Sequence, residues 1–210
     1  MKKHLLTYSL EFLVIVMGIT VSFWLNNWNE NSKQISLENK FIASVKEDLK
    51  QDKEFIKLVI SGIDPKSEVY RILMREMDGL YNNNRKSLDS LIRIYSKSQR
   101  TFYPIFGSYE SAVSGNQMTV FNNKELIQKI IKLYNSRYHR LEDNGRIADE
   151  RWDYFTKKYS GQIRTSKFTD MEAKQRFEFL NDIHYHFAQL RFYNSQLKTT
   201  LTEIDEILNQ

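Results

Sequence analysis

The chain has 210 residues, with 31 basic and 26 acidic side chains interspersed along it and a formal net charge of +5. That is the pattern of solvated helix faces and not of a concentrated nucleic-acid footprint, so nucleic acid is not an expected partner. The absence of cysteine excludes structural disulfides, cysteine-ligated zinc and a cysteine nucleophile, and only 2 prolines and 7 glycines favour long helices over a strand-rich fold.

The first element runs from Leu5 to Leu25 and is apolar apart from Thr7, Tyr8, Ser9, Glu11, Thr20 and Ser22. At about 1.5 Å per residue it covers the hydrocarbon thickness of a bilayer. Its Leu, Ile, Val and Phe residues favour insertion by roughly 4–7 kcal/mol in sum, against about 2.5–3.5 kcal/mol for one carboxylate at the centre. A cleaved secretory signal would share the basic start Lys2-Lys3, but Glu11 fits such a signal poorly and the bulky Phe23-Trp24-Leu25 end offers no small-residue cleavage site. The reading is an uncleaved single-pass anchor over residues 1–30 in contact with the lipid bilayer, with Trp24 and Trp28 as interfacial anchors.

Thr7, Glu11, Gly18, Ser22 and Asn26 fall on one face of that helix, within an arc of about 100° at 100° per residue. Gly18 and Ser22 form a small-xxx-small pair that admits a close helix neighbour. A carboxyl within the membrane faces protein or water and not lipid, so this face is expected to pack against another transmembrane helix, from a second copy or another membrane protein. The competing reading has Glu11 reaching the near interface from a tilted helix. Lys2 and Lys3 precede the span while Lys33 and Lys40 follow it beside Glu30 and Glu38; the thin bias predicts a cytoplasmic N-terminus and an extracytoplasmic domain.

Residues 31–210 read as one helical extramembrane domain. Ile42, Val45, Leu49, Ile56 and Val59 mark an amphipathic helix over 35–60, interrupted by Asp52, that either continues the anchor or bends at the Asn-rich junction. Gly62-Ile63-Asp64-Pro65 is expected to end it. Shorter helices follow over 66–79 and 86–97, separated by Asn82-Asn83-Asn84. The irregular stretch 99–124 holds Phe102, Tyr103, Phe106, Tyr109 and Phe121, which line a pocket or fold the loop onto the bundle through their rings; the second is preferred. Residues 125–159 form the strongest soluble helix, with Gly145 on its apolar stripe predicting a close helix approach. In the last helix, over 170–209, Leu180, Ile183, Phe187, Leu190, Asn194, Leu197, Leu201, Ile204 and Leu208 alternate by 3 and 4, a seam with one polar member. Flanking residues lack the charge pattern of a dedicated dimer, so an intramolecular seam is expected.

His184 and His186 point to different helix faces, and His139 with Glu142 or Asp143 has no third partner, so no metal is expected. No phosphate loop, nucleophile elbow or dinucleotide turn is present; neither a cofactor nor an enzymatic activity is expected.

Two blocks carry a resemblance. The anchor Tyr8-Ser9-Leu10-Glu11-Phe12 through Ile19, closed by Leu25-Asn26-Asn27-Trp28-Asn29-Glu30, and the central Tyr109-Glu110-Ser111-Ala112-Val113-Ser114-Gly115 with Asn122-Asn123-Lys124-Glu125-Leu126, resemble a domain-of-unknown-function family of small bacterial membrane proteins. The resemblance implies a single-pass inner-membrane protein with an extracytoplasmic helical region and no assigned activity. Taken together, the expectation is an all-α protein: a transmembrane helix, then an antiparallel bundle of long, partly coiled-coil-like helices. Its expected role is non-enzymatic envelope assembly. The alternatives are a sensor or ligand-binding module using the 102–121 aromatics, or an accessory subunit of a proton-driven membrane complex through Glu11.

Overall fold

The computed structural model describes residues 2–165, 167–168 and 170–210, with side chains from Glu11 onward. It is all helical, with no strand among the described residues: α1 (Lys2–Asn83), α2 (Arg85–Tyr95), α3 (Gly107–Ser114), α4 (Lys124–Lys132), α5 (His139–Lys158), α6 (Ser160–Thr165) and α7 (Ala173–Leu208). A short 3-10 turn covers Gln117–Val120, and a wide π-type turn covers Leu133–Tyr138 between α4 and α5. Among the described residues, one helix, α1, is long and apolar enough to cross a membrane.

Of the two readings of the Asn-rich junction, the continuous one holds: α1 runs through it without a break. One expectation is corrected, because α1 does not stop at Pro65 and takes in the separate helix expected over 66–79. Proline removes the N–H that would bond the carbonyl of Ser61 and costs about 3 kcal/mol inside a helix. The apolar stripe, however, stays in phase through it: Ile56, Val59, Ile63, Val69, Leu73 and Met77 are all buried. Each of those side chains gains about 1.5–3 kcal/mol on burial, so packing outweighs the proline. The helix ends where the side chain of Asn84 accepts from the N–H of Ser87 and starts α2.

The chain divides into two compact units. The first holds residues up to Val45 together with Gly107–Ile127. Here the ring of Phe41 stacks on Phe121 at 5.3 Å, with Tyr109, Ala112 and Leu126 also buried. Asn116, at φ 50°, makes the left-handed step that leads from α3 into the 3-10 turn, a conformation asparagine tolerates better than most residues.

The second unit holds Lys46–Phe106 and Gln128–Gln210. Its central element is α7, antiparallel to both long neighbours. Against α1, contacts run from Lys53–Asp205 through Lys198–Asp64 at 3.4 Å to Tyr70, whose ring stacks on Phe187 at 4.0 Å. Against α5 and the π-type turn they run from Arg137 paired with Glu203, through Gln189 to Asn144 at 3.2 Å, to Lys158 with Asp182 at 2.7 Å. Packing on two sides needs two stripes. The predicted seam of Ile183, Phe187, Leu190, Asn194, Leu197 and Ile204 is buried, as is a second one of Phe179, His186, Tyr193, Thr200 and Ile207.

Gly145 in α5 sits where a Cβ would lie 2.5 Å from Cγ2 of Thr101 and 3.3 Å from the hydroxyl of Tyr193. The expected close approach is therefore partly to α7 and partly to the segment after α2.

Candidate functional site

On the predicted membrane face, the side chain of Thr7 lies outside the described residues. Glu11, Gly18, Ser22 and Asn26 are exposed, and the hydroxyl of Ser22 donates to the carbonyl of Gly18 at 2.8 Å on its own helix. Thr20 does the same to Val16 at 2.8 Å, and the amide of Asn26 donates to Glu30 at 3.2 Å. Ser22 and Asn26 thus find hydrogen-bond partners on their own helix, which lowers the cost of placing them against lipid or another helix. Nothing lies within 4 Å of a Cβ added to Gly18. Ile15, Gly18, Ile19, Ser22, Phe23 and Asn26 line a shallow apolar groove of about 460 Å³. Trp24 and Trp28 project outward, 66% and 64% exposed, which suits an interfacial position.

The five aromatics of the irregular stretch are shared between the two units. Phe102 is buried against Phe55 and Tyr138, at 6.0 Å and 5.6 Å between ring centres. Phe106 stacks on His139 at 6.0 Å and meets Tyr134 edge-on at 5.8 Å. Tyr103 is 62% exposed. In the other unit Tyr109 is buried and Phe121 is stacked on Phe41. The clefts described here are lined by other residues.

The groups that sequence reasoning missed are buried charges on the inward stripe of α1. Glu38, Asp52 and Lys66 are spaced about four turns apart, and each holds the backbone of another segment. In the first unit the carboxylate of Glu38 accepts the N–H of Asn122 at 2.8 Å and of Asn123 at 2.7 Å, next to the start of α4. In the second, Asp52 accepts the N–H of Ile105 at 3.1 Å and the hydroxyl of Tyr138 at 2.7 Å. Burial raises the carboxyl of Asp52 to about 6, an effect those two hydrogen bonds partly offset and the nearby Asp48 reinforces.

Lys66 donates to the carbonyl of Lys97 at 2.6 Å, with its ammonium 3.6 Å above the ring of Trp152 and 5.6 Å from that of Tyr95. No carboxylate pairs with it among the described residues. Burial pushes its amine down to about 7. Beside it, His186 contacts the hydroxyl of Tyr95 through Nδ1 at 2.7 Å and the amide of Gln99 through Nε2 at 3.1 Å. Burial, with Lys66 and Arg151 adding positive charge, pushes that imidazole down to about 3, so it is neutral near pH 7. One signal for Lys66 was present: read through Pro65, it falls in phase with Val59, Ile63 and Val69.

Residues 11–189 match the model of DUF6090, a family of unknown function. No curated protein and no solved structure matches the chain.

Proposed function

The chain belongs to DUF6090, a family of unknown function, and from that premise we propose that it is a non-enzymatic, membrane-anchored assembly protein of the bacterial inner membrane. Its N-terminus faces the cytoplasm and its helical region lies on the other side. α1 packs through the Gly18 and Ser22 face against the same face of a second copy. The observation that carries this is the groove at Ile15, Gly18, Ile19, Ser22, Phe23 and Asn26, whose centre is open at Gly18 and whose serine is already hydrogen-bonded within the helix. In a bilayer, helix association comes from close packing and not from expulsion of water, so a groove with a glycine at its floor is the feature that matters. A two-fold pairing would bring the same face of a second copy against this one, with Gly18 allowing close approach.

The natural lack of cysteine gives a clean test. Single substitutions Ile15→Cys and Ser22→Cys are expected to give disulfide dimers on mild oxidation in membranes, whereas Leu13→Cys and Val16→Cys on the opposite side do not. Adding Gly18→Leu abolishes the dimers. Equal crosslinking on both sides, or none, counts against the groove. A photo-crosslinker at Ile15 that captures a different membrane protein overturns self-assembly and makes this chain a subunit of that partner's complex.

A further inference from the structure

A cleft of about 160 Å³ opens in the second unit between the middle of α1 and the segment after α2. Its lining is mixed, with Ser61, Lys66, Gln99 and Arg100 beside the aliphatic Leu58 and Ile63. Two cations thus border it, and neither has a carboxylate partner among the described residues. Lys66, 2% exposed, is the more demanding of the two. A buried ammonium is ordinarily neutralised by a counter-ion, yet this one has only a carbonyl and two aromatic faces beside it, none of which carries a negative charge.

We propose that this cleft binds a small organic carboxylate, whose charged end supplies the counter-ion missing from Lys66 and Arg100 and whose short apolar tail lies against Leu58, Val59 and Ile63. The size fits: at about 30 Å³ per water the cleft holds roughly five waters, the volume of a four- or five-carbon acid. The mixed lining favours a carboxylate with a tail over an inorganic anion, whose oxygens would leave the aliphatic side chains unmatched. Other charged or titratable groups around Lys66 suit this assignment. Tyr95 in α2 and His186 in α7 are neutral near pH 7, Arg151 in α5 adds positive charge, and Asp149 in α5 is engaged by Gln99 and Thr101 at 3.0 Å and 2.6 Å.

Gly62 makes the inference testable without disturbing the fold. It lines the cleft, and a Cβ built there meets nothing within 4 Å. Gly62→Leu therefore fills the site and improves helix propensity at once. The full chain in lipid nanodiscs is titrated calorimetrically with butyrate, in two buffers of different ionisation enthalpy. Expected are one saturable site per chain and a loss of affinity of about tenfold or more in Gly62→Leu and in Lys66→Met. Proton uptake on binding near pH 7 is also expected, falling toward zero at pH 5, because Lys66 ionises as its counter-ion arrives. Each variant is checked for wild-type helicity. The proposal is overturned by no saturable heat, by unchanged affinity in Gly62→Leu, by binding without proton uptake at pH 7, or by inorganic phosphate binding as tightly as butyrate.

Discussion

Gly145→Ala isolates the packing at the centre of the second unit. On helix propensity alone the change stabilises α5 by about 1 kcal/mol. The new methyl, however, would sit 2.5 Å from Cγ2 of Thr101, against an ordinary carbon separation of about 3.5–4.0 Å. Thr101 is not free to step aside, because its hydroxyl is 2.6 Å from both carboxylate oxygens of Asp149. Nor is Tyr193, whose hydroxyl accepts the N–H of Phe102 at 2.9 Å. Relief thus requires either giving up a hydrogen bond to a charged group, about 1.5–3 kcal/mol, or overpacking at a similar cost. After subtracting the propensity gain, the variant is expected to be less stable by about 0.5–2 kcal/mol. For a chain of this length that lowers Tm by about 1–8 °C. Thermal unfolding followed by helical circular dichroism in detergent reads the change, and Gly79→Ala, with nothing within 4 Å of its Cβ, is the control that should gain stability. Thr101→Ser keeps the hydroxyl and removes the obstructing methyl, so the double variant should recover most of the loss. A Gly145→Ala protein that melts at or above the wild type refutes the reasoning.

Two further outcomes are expected. Asp52 has a carboxyl raised to about 6 in the folded chain against 3.8 when unfolded, so the native state holds the proton more tightly. Its contribution is fully present below pH 3.8 and is lost as pH rises through 6, a swing of about 2–3 kcal/mol. Wild-type minus Asp52→Asn stability, measured by denaturant unfolding from pH 4 to 7, should fall across that interval, and a flat or rising difference refutes the assignment. Glu38→Gln leaves one acceptor for two backbone donors in the first unit, at a cost of about 1–3 kcal/mol. Hydrogen exchange should show faster exchange of the Asn122 and Asn123 amides, and unchanged protection there would count against the carboxylate as their anchor.

How far the sequence revealed the structure depended on whether a residue's side chain matched its place. The apolar span, the seam from Ile183 to Ile204 and the close approach at Gly145 were legible because leucine, isoleucine and glycine occur where periodicity and packing want them. The second seam of α7 was not, since His186, Tyr193 and Thr200 carry polar atoms that pattern reading assigns to solvent. Each is nevertheless buried, and the first two spend those atoms on Tyr95, Gln99 and the amide of Phe102. Pro65 misled for the opposite reason: a strong local signal was overridden by burial on both sides of it. The candidate clefts were the least visible, because Ser61, Lys66 and Arg100 become neighbours only once α1 runs on and the segment after α2 folds back.

The buried charges of α1 among its described side chains, Glu38, Asp52 and Lys66, divide mutational freedom unequally. Glu38, Asp52 and Lys66 grip amide N–H and carbonyl groups, which every residue type presents in the same way apart from proline's missing N–H. Selection acting through these clasps is therefore blind to side chains at Lys97, Ile105, Asn122 and Asn123, and severe on the three gripping residues. A new proline at 105, 122 or 123 is the one exchange that would open a clasp from the gripped side. Their surfaces can thus diversify toward new contacts while their attachment to α1 is inherited unchanged.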